Sequence, residues 1–281
     1  ANISRLLPDD RLADILPDTP GQGTAALPEY ASLFDAPLPT YASHRPTPID
    51  RLSPIKPRGL AGASNAWAAT PARSAAGSTL LANDPHLELT APTIWYLARL
   101  ELQSGGVIGG TFPGAPVVLV GRSNQLGWGL TNSYLDDQDV FIEKVNPDNR
   151  EQVLTPEGWK TLRSRQSIIN INDSDPISLT LRWSDNGPIL EGNQFGLSAV
   201  TPAGHVASLG WTALNENDTS VQALMKIMRA QNLDQALAAG EDYVATAQNL
   251  TVVDRESAAL KLIGKMPRRA ARHQTQGRMP A

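Results

Sequence analysis

Ser64-Asn65-Ala66-Trp67, with Ala82-Asn83-Asp84-Pro85-His86-Leu87 further on, marks the point where the chain changes character. Upstream, proline recurs at Pro8, Pro17, Pro20, Pro28, Pro37, Pro39, Pro46, Pro48, Pro54 and Pro57. Proline fixes φ and removes a backbone donor, so this density predicts extended or irregular chain. Only Leu12-Ala13-Asp14-Ile15-Leu16 has room for a turn or two of helix. Residues 1–63 therefore read as a linker or spacer.

Downstream, apolar runs predict buried strands at Leu80-Leu81-Ala82, at Thr93 to Ala98 and at Val117 to Val120. Gly127 to Thr131 reads as a short strand ending in a polar loop. Gln166 to Ile171 is strand-like, and Ile177 to Trp183 alternates apolar and polar residues, the pattern of a half-buried strand. These two are expected to pair as an antiparallel hairpin. Val206 to Thr212 is a further strand. Helical spacing follows over Ser220 to Ala230 and Leu233 to Ala245, joined at Asn232, before strand-like composition returns over Gln248 to Ile263. Strands, two helices, then strands predict an α+β fold of stacked layers rather than alternating βαβ units.

Composition narrows the function. The chain has 281 residues, 41% hydrophobic and 19% charged, enough for one large domain or two small ones. A net charge of -4 argues against a nucleic-acid partner, which calls for a basic patch. Cysteine is absent, so disulfides and thiolate metal sites are excluded. No apolar run approaches the roughly 18 residues of a membrane span, and Ala1 to Asp10 lacks the pattern of a signal peptide.

The motifs follow one another in a set order from Ser64 to about Pro280. Ser64-Asn65-Ala66-Trp67 and Asn83-Asp84-Pro85-His86 precede Pro92-Thr93-Ile94-Trp95-Tyr96, then Gly109-Gly110-Thr111-Phe112-Pro113-Gly114. Gly127-Trp128-Gly129-Leu130-Thr131, Asp136-Asp137-Gln138-Asp139, Gln248-Asn249 and Pro267-Arg268-Arg269 complete the series. This ordered set resembles the β-subunit of the penicillin amidase (penicillin acylase) family. The resemblance implies a four-layer αββα fold of the N-terminal nucleophile hydrolase type, with residues 64–281 its first part. It also implies self-cleavage between Ala63 and Ser64, an N-acylated small molecule as substrate, and a periplasmic or secreted location. A β-lactam side-chain amide and an N-acyl homoserine lactone both suit such a site.

The chemistry gives the cleavage a reason. A serine hydroxyl needs a base to take its proton. An N-terminal α-amine titrates near roughly 7.7–8.0 and serves as that base at working pH. The resemblance assigns the nucleophile to Ser64, an orienting or charge-stabilising role to His86, and oxyanion donors to the Asn132 backbone N–H and the Asn249 side chain. Arg269 matches an arginine near the nucleophile's amine. A structural calcium would take Asp136, Asp139 and the Gln138 carbonyl, hard oxygen ligands of the kind that ion prefers. On residue type alone, other readings stand beside these: a satisfied core histidine at 86, a buried asparagine at 249, a solvated acidic turn at 136–139, and a basic tail of Arg268, Arg269, Arg272 and Arg278.

Two departures from the family pattern stand out. Only 63 residues precede Ser64 and the chain stops at Ala281, so it reads as a precursor fragment whose remaining α- and β-subunit segments are partners. With Ser64 still joined to Ala63, the fragment alone is expected to be inactive. Asp254-Arg255-Glu256-Ser257 also stands where a glycine turn is usual. The rival from another class is a non-catalytic, calcium-stabilised structural or binding fragment.

Overall fold

A computed structural model describes residues 64–87, 90–133, 135–190, 196–199 and 201–269. The proline-rich segment 1–63, with its expected linker role, lies outside them. In chain order the strands are β1 (Ser64–Ala69), β2 (Leu80–Pro85), β3 (Tyr96–Leu102), β4 (Gly105–Thr111), β5 (Val120–Arg122), β6 (Gly127–Asn132) and β7 (Gln138–Lys144). There follow β8 (Gln152–Thr155), β9 (Gly158–Thr161), β10 (Arg163–Ile171), β11 (Ser174–Ser184), β12 (Gly187–Leu190) and β13 (His205–Trp211). Helices α1 (Ser220–Arg229) and α2 (Leu233–Ala239) precede β14 (Gln248–Val253) and β15 (Ala258–Ile263). The fold is α+β, as the order of elements predicts, and falls into two compact units.

The first unit holds residues 64–137 and Thr212–Met266. Its six-stranded antiparallel sheet runs β15-β14-β6-β5-β4-β3. Residues opposite each other in such a ladder share a face. Trp128 pairs with Val252 and Leu130 with Leu250, and this face packs against Leu224, Ile227 and Met228 of α1 and Ala236 of α2. Full burial of an aliphatic side chain contributes about 1.5–3 kcal/mol, and Leu250, Val252 and Ile227 are exposed by only 0, 0 and 1%. The β1–β2 hairpin lies on the opposite face, where Asn83 covers Gly129. Helices, sheet and hairpin thus form three stacked layers.

Several expectations here are corrected. Val117 and Val118 are buried but not in a strand, and only Val120–Arg122 joins the ladder. Their backbone polar groups find side chains instead. The Thr111 hydroxyl donates to the Val117 carbonyl, Trp128 Nε1 donates to the Val118 carbonyl, and the Val118 N–H points at Met228 Sδ. The run at Thr93–Ala98 enters a strand only at Tyr96, and Tyr96 and Leu97 are exposed. Helix α2 begins just after the expected junction at Asn232, which caps it: Asn232 Oδ1 accepts from the Gln235 N–H at 2.9 Å. It ends at Ala239 rather than Ala245: Gly240–Asp242 tightens into a 3-10 turn, and the N–H groups of Val244 and Ala245 then bond the Ser220 hydroxyl.

Strand β4 has no apolar pattern to announce it, because its glycines carry no side chains. Gly109 faces Gly121 across β4 and β5, and a Cβ at Gly109 would fall 2.1 Å from the Val120 carbonyl oxygen. The strands approach too closely for any side chain there.

The second unit holds Gln138–Trp211 and residues 267–269. Its five-stranded sheet runs β10-β11-β12-β13-β7, beside a β8–β9 hairpin. The expected hairpin is present, with Ile169 opposite Ile177 and Arg163 opposite Trp183. The half-burial expected of it is not, because Ile169, Ile177 and Leu179 stay 47, 48 and 42% exposed. Glu143, on β7 at the end of this sheet, is buried and accepts from the hydroxyls of Ser184 and Ser208. No helix among the described residues is long and apolar enough to cross a membrane.

Candidate active site

Ser64 is the first residue of β1 and stands opposite Pro85, with Asn65 opposite Asp84. The next residue after Pro85 is His86, so the hairpin register sets the imidazole beside the serine's end of the strand. His86 Nδ1 lies 3.1 Å from the Asp84 carbonyl oxygen and Nε2 lies 3.5 Å from the Asp84 carboxylate. Asp84 thus fixes the ring against its own strand. Ser64 is half-buried and His86 exposed.

The expected oxyanion donors lie on the neighbouring sheet. β1 lies against both β6 and β14. Asn249 pairs with Thr131, and alternation along each strand puts both on the face that carries Gly129 and the hairpin. Asn249 Nδ2 donates to Thr131 Oγ1 at 3.2 Å and to the Asn132 carbonyl at 3.4 Å. Asn132 itself falls on the other alternation, so its side chain belongs to the opposite face and any part it takes is through the backbone. Successive odd or even residues of a strand turn their N–H groups to one edge. The Asn132 N–H accordingly follows the edge of the Leu130 N–H, which faces the hairpin through Asn83.

Ser64, His86, Asn132 and Asn249 therefore share one unit. Two residues that sequence reasoning left without a role join them. Thr131 supports the Asn249 amide. Asn83 bonds both the hairpin and β6: its amide donates to the Asn65 carbonyl at 2.8 Å and the Leu130 carbonyl at 3.2 Å, and its Oδ1 accepts from the Leu130 N–H at 3.2 Å. The signal for Asn83 was present in Asn-Asp-Pro-His and in the glycine at 129, but only the register connects them. A second stitch runs from the Thr79 hydroxyl to the Asp254 carbonyl. The turn after β14 closes without glycine because the Asp254 carboxylate accepts from the N–H groups of Glu256 and Ser257 at 3.0 and 2.8 Å. A cleft of about 560 Å³ opens beside β2 and β6; it is lined by Asn83, Arg122 and Arg255 but not by Ser64 or Asn249.

Arg269 belongs to the other unit, where its Nε donates to Asp139 Oδ2 at 2.8 Å in a pair only 11 and 23% exposed. That pair occupies a carboxylate oxygen expected to hold calcium. Among the described residues no three His, Cys, Asp or Glu side chains converge on a shared cation position. Asp136 and Gln138 are exposed, and Asp137 is buried. Asp139 is engaged by Arg269, and no chemical step is routed through a metal.

Helices on one face of the sheet and a serine-bearing hairpin on the other define a fold of the N-terminal nucleophile hydrolase type. It superposes on a thermostable penicillin G acylase from Alcaligenes faecalis with a TM-score of 0.59 and 24% identity, over 67% of this chain and 33% of that one. The chain belongs to the penicillin amidase family, whose model matches residues 1–281. The acyl-homoserine lactone acylase QuiP of Pseudomonas aeruginosa is 28% identical over 74% of this chain and 25% of its own length. The enzyme of that name from Pseudomonas putida is 26% identical over 97% of this chain and 32% of its own. Penicillin G acylase of Escherichia coli is 25% identical over 62% of this chain and 20% of its own. The chain thus spans about a quarter of the length of the curated relatives it matches.

Proposed function

We propose that this chain carries the nucleophile and oxyanion donors of an amidohydrolase acting on an N-acylated small molecule. Cleavage after Ala63 frees the Ser64 α-amine, which takes the proton from Oγ as that oxygen attacks the acyl carbon. The tetrahedral oxyanion is held by the Asn132 N–H and Asn249 Nδ2, the latter exchanging its longer, 3.4 Å bond to the Asn132 carbonyl. Collapse breaks the C–N bond and returns the proton to the leaving amine. Water, deprotonated by the same amine, then cleaves the Ser64 ester and releases the acid. His86 lies beside this path, oriented by Asp84. The remaining segments of the precursor complete the acyl pocket, and a periplasmic or secreted location suits the chemistry.

The observation that carries this reading is the placement of Ser64 at the head of a strand lying against β6 and β14, on the face bearing Asn249. The names of the relatives make an N-acyl homoserine lactone the first substrate to assay, with a β-lactam side-chain amide second. A structural calcium at Asp136, Asp139 and the Gln138 carbonyl would require the Arg269 pair to open first. Hydrolysis of a chromogenic acyl amide by the mature enzyme and by Ser64→Ala tests the proposal. The variant is expected to show no turnover above buffer. Wild-type turnover by Ser64→Ala would refute it.

A further inference from the structure

The nucleophile and its oxyanion donors sit on different pieces of structure. Ser64 is on the β1–β2 hairpin, a two-stranded sheet of its own, while Asn132 and Asn249 are on strands of the six-stranded sheet. Among the described residues no backbone ladder joins the hairpin to β6, and side-chain hydrogen bonds bridge the two.

Asn83 does this at the centre of the hairpin, opposite Ala66. Its carboxamide acts as a peptide group added to the edge of β6. β5 pairs with β6 only at Gly121↔Trp128 and Arg122↔Gly127. Leu130 therefore lies beyond the end of that ladder, and its N–H and C=O take the Asn83 amide instead, each at 3.2 Å. The second N–H of the same amide holds the Asn65 carbonyl at 2.8 Å, one residue from the nucleophile. Leu130 in turn is two residues from Asn132. The approach is close enough to exclude a side chain below it: a Cβ at Gly129 would meet Asn83 Cβ and Cγ at 2.9 Å.

We propose that Asn83 is a positioning residue for acyl transfer, fixing the distance between Ser64 and the oxyanion donors through its three hydrogen bonds to Asn65 and Leu130. This rests on the reading of Ser64 as nucleophile given above. Asn83 touches neither substrate nor reacting atom. Its effect is on geometry, where a displacement of about 1 Å costs on the order of 10²-fold in rate.

The test compares mature wild type, Asn83→Ala, Asn83→Asp and Ser64→Ala on a chromogenic acyl amide, with rates normalised to serine titrated by phenylmethylsulfonyl fluoride. Asn83→Asp preserves shape and the acceptor for Leu130 N–H but loses both donors, so it stays informative where the alanine variant fails to fold. The expected result for either is a kcat per titrated serine lower by about 10²-fold with KM changed less than about threefold. A folded variant that leaves the Ala63–Ser64 bond uncut supports the proposal equally, since cleavage uses the same serine. A kcat per titrated serine within about threefold of wild type, well short of that range, overturns the proposal, whatever the melting temperature does. Turnover by Ser64→Ala would instead overturn the reading beneath it.

Discussion

Strands β14 and β11 are both apolar on alternate residues, yet one is enclosed and the other is open. In β14, Leu250 and Val252 are 0% exposed, closed in by α1 and α2 on one face, while the β1–β2 hairpin covers the other. In β11, residues Ser174 to Thr180 are all exposed, and what holds the strand is its ladder to β10. Arg163 and Arg165 add cation contacts over the Trp183 ring at 5.3 and 5.8 Å, and Arg182 pairs with Glu151 at 2.8 Å. The difference bears on function. The proposed acyl transfer tolerates little displacement, and Asn249, its proposed oxyanion donor, sits on the strand that is packed from both sides.

The enclosed strand carries the largest expected effects. Leu250→Ala is expected to cost roughly 2–5 kcal/mol of stability, since a fully enclosed side chain leaves a cavity that close packing cannot fill. Denaturant unfolding measures this, and a loss under about 1 kcal/mol would show that the layer is looser than its burial implies. Asn249→Ala probes the other face of the same strand. It is expected to lower kcat by roughly 10²–10³-fold, the cost of one oxyanion donor, while leaving the unfolding midpoint near wild type. A drop below about fivefold would remove Asn249 from the oxyanion site.

On the open strand the effects shrink. Ile177→Ala removes a side chain already 48% exposed, so its cost is about half that of full burial, on the order of 1 kcal/mol, with kcat unchanged. The smallest effect belongs to Glu151. The Arg182 hydrogen bond, helped by its charge, holds this carboxyl below the usual glutamate range. A depressed carboxylate stabilises the fold above its unfolded pKa and loses that contribution as pH falls through the folded value. Glu151→Gln should therefore cost under about 1 kcal/mol at neutral pH, and the gap from wild type should close in acid. A gap that widened in acid would contradict that sign.

Motif order nominates Ser64, His86, Asn132 and Asn249 as the candidate site, and the structure places all four in one unit. The β10–β11 hairpin is legible through its alternation, but the same pattern predicts burial that does not occur, because alternation records two faces and not what covers them. Val117 and Val118 mislead for a related reason: an apolar run marks burial, while strand assignment needs ladder partners, and theirs are Thr111, Trp128 and Met228 side chains. The contacts of Asn83 and Thr131 stay hidden in the sequence until the register sets Asn83 over Gly129 and Thr131 opposite Asn249. The ion pair between Arg269 and Asp139 joins residues far apart in the chain, so no local pattern announces it.

The central claim is that Ser64, once freed, is the residue that carries the acyl group. Brief exposure of the mature enzyme to an N-acyl substrate, acid quenching and peptide mass spectrometry test it directly. The expected product is a peptide that begins at Ser64 and carries the acyl mass on that residue. An enzyme that turns over with Ala63 still joined to Ser64, or an acyl adduct on any other residue, would contradict it.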